Sequence, residues 1–132
     1  FTYVQREVTI TKGTRLDFLL KNNQGLCYCE VKNVHLCRKK GMAEFPDSIT
    51  DRGTKHLNTL SDLAQAGITT MMLYVVQRSD CDHMRLAYDI DPKYAAAAKH
   101  AKNAGVQFHA VDCTVDQRTI SLRRPVPMIW DF

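Results

Sequence analysis

Apolar residues fall in short runs rich in β-branched and aliphatic side chains at the start of the chain and at helical spacing further on, and each switch marks an element. Residues 3–10, Tyr3 through Ile10, are rich in β-branched residues and read as a strand, turned back by Lys12-Gly13. A second strand over 15–20 carries Leu16, Phe18, Leu19 and Leu20. Asn22-Asn23-Gln24-Gly25 is the next turn, and 26–36 the third strand. Three strands in succession predict an antiparallel meander. Residues 37–49, broken by Gly41 and Pro46, read as irregular.

A helix then starts at Thr50 or Asp51, either of which can cap it, and runs to Ala66 with Gly67 as its stop. Leu57, Leu60, Leu63 and Ala64 give it an apolar stripe. Residues 68–77 hold an unbroken apolar run from Met71 to Val76, as in a strand covered on both faces after a helical crossover. Asp91-Pro92 opens a second helix, Tyr94 to Ala104 are good helix formers, and Gly105 ends it. Val106 to Val111 forms another strand, Ile120 to Leu122 a short last one, followed by the tail Arg124-Pro125-Val126-Pro127. The order β-β-β-α-β-α-β predicts an α/β layered domain, a mixed sheet flanked by helices.

At 132 residues the chain fits one domain with a core large enough to need no disulfide. Its five cysteines include no Cys-x-x-Cys pair, which excludes a disulfide scaffold or zinc knuckle and implies a reducing, cytoplasmic setting. No membrane span or signal peptide is visible, so no membrane partner is expected. The net charge of +4 permits a polyanionic partner without demanding one. Arg38-Lys39-Lys40, Arg52, Lys55 and Arg123-Arg124 would form a phosphate track if the fold gathered them on one face. Scattered, they are solvated charge.

Asp17 lies in one apolar strand, and Glu30 and Lys32 in the next. Successive strand residues alternate between faces, so Tyr28, Glu30 and Lys32 share one face while Cys27, Cys29 and Val31 share the other. On a solvated face, Glu-x-Lys is only a pair of outward polar positions. On inner strands the three charges must satisfy one another or a metal. Two carboxylates and a lysine together suit a divalent cation and an activated water, the requirement of metal-dependent phosphodiester hydrolysis.

Phe45-Pro46-Asp47-Ser48-Ile49-Thr50-Asp51-Arg52-Gly53-Thr54-Lys55-His56-Leu57 is dense in polar residues just ahead of and into the helix. With Asp17-Phe18, Glu30-Val31-Lys32-Asn33-Val34, Val76-Gln77-Arg78-Ser79-Asp80, Ile90-Asp91-Pro92-Lys93-Tyr94 and Gly105-Val106, it resembles the sugar fermentation stimulation protein A (SfsA) family. The resemblance runs from about Arg6 to about Pro127. It implies a restriction-endonuclease-like, PD-(D/E)xK core with Asp17, Glu30 and Lys32 as the catalytic set. It also implies a smaller N-terminal domain resembling an OB-fold and a helix opening the core, both outside these 132 residues, so that a fragment is expected. His35 departs from the small hydroxyl residue usual after Glu-x-Lys.

By the same resemblance, Asp17 and Glu30 would ligate Mg²⁺ or Mn²⁺ with the Val31 carbonyl and waters, and Lys32 would orient the attacking water. Arg52, Lys55 and His56 would hold phosphate at the helix N-terminus, although His56 alone fits a packing role equally well. Asp47, Thr50 and Gln77 are auxiliary candidates, each with a plain alternative as loop, cap or sheet-edge residue. Glu7 is the weakest acid, His35, His83, His100 and His109 lack metal-ligand spacing, and Trp130 either anchors the tail or sits in a contact. The expected activity is a metal-dependent nuclease acting on nucleic acid, DNA before RNA. The alternatives are a non-catalytic DNA-binding regulator linked to sugar (maltose) metabolism and an interaction domain with no nucleic-acid role.

Overall fold

A computed structural model describes residues 1–132. The expected meander forms from β1 (Tyr3–Thr11), β2 (Thr14–Asn22) and β3 (Gly25–Val34). β1 and β2 run antiparallel with Val4 opposite Leu20, and β2 and β3 with Leu19 opposite Tyr28. Gly13 has φ of 80°, a left-handed turn conformation that a side chain would strain.

Residues 37–49 are not irregular as the sequence pattern implied. They fold into β4 (Leu36–Lys39) and β5 (Met42–Phe45), with Gly41 at φ 82° as the hairpin turn rather than a break. Periodicity misses them because Met42, Ala43 and Glu44 are all buried, so no alternation shows. The third strand accordingly stops at Val34, before His35.

Next come α1 (Asp51–Gln65), β6 (Thr69–Val76), β7 (His83–Leu86), α2 (Pro92–Ala104), β8 (Gln107–Val115), β9 (Ile120–Pro125) and β10 (Met128–Ile129). Neither β7 nor β10 is foreseen by the pattern; they are short and their partners are distant in sequence, Phe45 opposite Leu86 and Met128 opposite Met84. Six strands form the main sheet in the order β1-β2-β3-β6-β8-β9, and four form a second in the order β10-β7-β5-β4. β6 lies parallel between β3 and β8, with α1 and α2 in the crossovers. This is the mixed α/β architecture expected.

One core holds the layers together. Leu57 and Leu60 of α1, Tyr94 and Ala98 of α2, and Leu16, Val34, Met72, Tyr74 and Val76 of the main sheet belong to it, all buried. The Tyr74 and Tyr94 hydroxyls bond at 2.6 Å, tying β6 to α2. Met71, Leu73 and Val75 on the other face are only half-buried. β6 is therefore covered completely on one face, not both, because the core elements gather on the side of Met72, Tyr74 and Val76.

The basic residues are partly consumed by structure. Glu44, 1% exposed, accepts from Arg38 Nη2 at 2.7 Å and Arg85 Nε at 3.2 Å, and Arg38 also pairs with Asp89. Buried Asp112 pairs with Arg123 and Arg124. Arg38, Arg123 and Arg124 thus neutralise acids in their own neighbourhood instead of forming one track with Arg52 and Lys55.

Candidate functional site

The ladder between β2 and β3 runs from Asn22 opposite Gly25 as far as Phe18 opposite Cys29. Beyond it, side chains take over the bonding. Val31 N–H donates to Asp17 Oδ2 at 2.8 Å, and Asp17 N–H donates to Glu30 Oε2 at 3.1 Å. Each carboxylate thus satisfies a backbone donor on or beside the other's strand, and the two acids are locked side by side where the strands part.

Lys32 Nζ donates to Glu30 Oε1 at 3.0 Å. His56, on the second turn of α1, is 4% exposed, and its Nδ1 lies 2.8 Å from Glu30 Oε1 and 2.9 Å from Lys32 Nζ. That nitrogen serves one neighbour at a time, accepting from Lys32 when bare and donating to Glu30 when protonated. His56, placed by the sequence among the phosphate contacts, is therefore joined directly to the acid–lysine set.

The electrostatics separate the two acids. Burial pushes Glu30 up, but the hydrogen bond from His56 and the charge and hydrogen bond of Lys32 outweigh it and hold Glu30 below the usual carboxylate range. Burial raises Asp17 against the opposing Val31 N–H, and the neighbouring Glu30 charge adds to the rise. Cys29, pushed up to about 12 by burial and then by neighbouring acidic groups, stays a thiol.

Helix α1 is set in place from below. Thr50 Oγ1 caps it by accepting from Gly53 N–H at 3.0 Å. Thr50 N–H in turn donates to Asp91 Oδ2 at 2.8 Å, while Asp91 Oδ1 caps α2 through Tyr94 N–H at 3.0 Å. A Cβ on Gly53 would lie 2.9 Å from Thr50 Oγ1 and 3.0 Å from Tyr94 Cε2. This close approach fixes the height at which α1 delivers His56 to Glu30.

Outside the cluster a pocket of about 660 Å³ opens between the β1–β2 hairpin (Thr9, Gly13, Thr14, Arg15) and the start of α1 (Asp51, Arg52, Lys55, His56). Lys55 Nζ donates to Gly13 O at 3.0 Å, joining the two walls. Arg52 and Lys55 are brought together here as the sequence suggested, and His56 closes the pocket toward the acids. Thr50 is the α1 cap.

Asp47 is exposed in the loop ahead of α1, touched only by Ser48 Oγ at 3.4 Å. Gln77 Nε2 donates to Asn33 Oδ1 at 3.3 Å, and Asn33 alternates with Lys32 to the opposite face of β3. Neither joins the cluster. Glu7 is exposed at φ 54°, 4.0 Å from Arg15. Trp130 anchors the tail, edge-on to Phe108 at 5.0 Å with Lys102 over its ring at 4.4 Å. Sequence reasoning placed Asp91 only as the opening of α2, not as the acceptor of Thr50 N–H, and it missed Thr14 and Arg15. Only Arg15 left a signal, a cation two residues before Asp17 on the same strand.

No three His, Cys, Asp or Glu side chains converge as metal ligands, and all five cysteines are free. No helix is long and apolar enough to cross a membrane.

Fold and site define a mixed α/β domain with an acid–acid–lysine cluster where two strands of its main sheet part. The chain belongs to the sugar fermentation stimulation protein family: residues 1–119 match the family described as "Sugar fermentation stimulation protein RE domain". It is 46% identical over 129 residues to a sugar fermentation stimulation protein homolog of Agrobacterium fabrum, covering 97% of this chain and 54% of that protein. A homolog from a Ruegeria species is 45% identical over 128 residues, 96% of this chain and 55% of its own length. The solved structure of Pyrococcus furiosus SfsA in complex with Ca²⁺ superposes with a TM-score of 0.89 at 27% identity, covering 96% of this chain and 54% of that one. The chain spans about half the length of the curated relatives it matches.

Proposed function

We propose that this domain is a divalent-metal-dependent nuclease with a PD-(D/E)xK site, hydrolysing phosphodiester bonds of nucleic acid, with DNA the first polymer to test. The observation that carries the reading is the locked pair Asp17–Glu30 with Lys32 Nζ 3.0 Å from Glu30. The residues fit a hard cation. Two carboxylates sit side by side, and Asp17 Oδ1 accepts no hydrogen bond from the protein, while Asp17 is raised by burial and by its acidic neighbour. A cation relieves that repulsion. Asp17, Glu30 and the Val31 carbonyl would hold Mg²⁺ or Mn²⁺, with waters filling the remaining positions. The Ca²⁺ complex of the Pyrococcus furiosus relative supports a divalent site in this family.

Held by these residues, such a metal would supply a water of lowered pKa and neutralise phosphate charge. Lys32 stands on the same face as Glu30, where it would orient the attacking water and stabilise charge on the phosphate. His56 holds Lys32 and Glu30 in register. The buried walls of the cluster keep these dipoles fixed.

The test is cleavage of labelled single- and double-stranded DNA and RNA with Mg²⁺ or Mn²⁺, wild type beside Lys32→Ala. Cleavage that needs metal and disappears in the variant establishes the nuclease and names its polymer. Binding without cleavage under every metal overturns it in favour of a non-catalytic DNA-binding regulator, a reading for which the family's description by sugar fermentation stimulation is the supporting observation.

A further inference from the structure

The pocket beside the cluster has no hydrophobic lining residue, and three of its side chains are cations: Arg15, Arg52 and Lys55. They do not share one origin. Arg15 comes from β2, and Arg52 and Lys55 from the first turns of α1. Arg15 and Arg52 are both exposed; Arg15 has only the distant, solvent-facing Glu7 at 4.0 Å, and Arg52 makes no ion pair within the chain. Asp51, also at the mouth, is the single acid.

A second, independent feature points into the same space. Thr14 is 5% exposed and lines the pocket, yet its hydroxyl makes no hydrogen bond within the protein. A hydroxyl left unpaired at the wall of a cationic cavity is free to donate to an anionic oxygen seated there.

The position matters as much as the charge. Arg15 and Asp17 are two residues apart on β2, about 6.8 Å along an extended strand. His56 both lines the pocket and touches Glu30 and Lys32. An anion in the pocket therefore sits immediately beside the acid–lysine cluster.

We infer that this pocket is the seat of a backbone phosphate neighbouring the one that is cut, held by Arg15, Arg52 and the Thr14 hydroxyl, with Lys55 as its wall. This rests on the nuclease reading above and deepens it. The pocket has no aromatic or apolar side chain on which a base could stack, so it grips sugar and phosphate and reads no sequence.

The test is fluorescence anisotropy of labelled DNA oligonucleotides of two unrelated sequences, with Ca²⁺ in place of Mg²⁺, across a salt series. Arg15→Gln and Arg52→Gln are compared with wild type and with Lys93→Gln, an exposed cation at the start of the other helix. Expected are a five- to tenfold loss of affinity in each pocket variant at low salt, a salt slope shallower by about one, and no change in Lys93→Gln. Equal affinity for both sequences is expected in the wild type. Wild-type affinity and slope in both pocket variants overturn the pocket while leaving the nuclease reading standing. A large preference between the two sequences overturns the sugar–phosphate assignment. Absence of binding by the wild type overturns the pocket and the nucleic-acid reading together.

Discussion

Asp91, at the start of α2, accepts the backbone N–H of Thr50, at the start of α1, at 2.8 Å. One buried carboxylate thereby serves two helix N-termini, because its other oxygen caps Tyr94. The link reaches the site indirectly, since α1 carries Arg52 and Lys55 to the pocket and His56 to Glu30. Asp91→Ala leaves the buried Tyr94 N–H and the half-buried Thr50 N–H without acceptors, so a loss of roughly 2–3 kcal/mol in urea unfolding is expected. An unchanged unfolding midpoint would show that the bridge carries no weight.

Gly53→Ala tests the close approach of the helices. On propensity alone, alanine improves a helix by up to about 1 kcal/mol over glycine. Here its Cβ would meet Thr50 Oγ1 at 2.9 Å and Tyr94 Cε2 at 3.0 Å. Steric strain of about 1–3 kcal/mol should win. The expected result is a lower melting temperature; a higher one would mean that α1 shifts freely.

Glu44 gives the second sheet its pH dependence. Its hydrogen bond from Arg38 holds its pKa low against burial, with Arg85 adding to the effect. A folded pKa below the unfolded one means that the unfolded chain binds more protons in that window. This stabilisation is present above the unfolded carboxylate pKa, about 4.3, and is lost as pH falls through the lower folded value. Glu44→Gln should cost about 2–3 kcal/mol at pH 7, a buried-pair effect reduced by the partial exposure of both arginines. It should also flatten the acid limb of stability against pH. A variant with an unchanged acid limb would assign that limb to other carboxylates.

Asp17→Asn separates stability from metal affinity. In EDTA the variant sheds a buried charge beside Glu30 and can still accept from Val31 N–H, so its melting temperature should rise. Adding Mn²⁺ should stabilise the wild type, by about 2.7 kcal/mol at one hundred times its dissociation constant, and leave the variant unmoved. Equal Mn²⁺ shifts in both proteins would remove Asp17 from the metal site.

His56→Asn probes the third arm of the cluster. It leaves Lys32 and Glu30 paired but removes the ring that touches both. A tenfold or greater drop in cleavage rate, with DNA affinity in Ca²⁺ kept within about twofold, is expected for a positioning group. Equal losses in both would place His56 among the phosphate contacts instead.

The sequence by itself determined the local elements and the chemistry-bearing residues. Apolar and β-branched runs between turn signals drew β1 to β3, the leucine stripe drew α1, and Asp17, Glu30 and Lys32 stood out as charges on otherwise apolar strands, because these signals are carried by neighbours a few residues apart. The tertiary structure alone decided the rest. The second sheet pairs Met84 with Met128 across more than forty residues, in strands too short to show a period. Arg38, Arg123 and Arg124 were claimed by Glu44 and Asp112, so charges that read as a free phosphate track became the surface partners of buried carboxylates. Gln77 and Asp47 lie away from the acids, whereas Thr14 and Arg15 gained a role once the hairpin met α1. A side chain's partners depend on which distant backbone lies opposite it, and no local spacing encodes that.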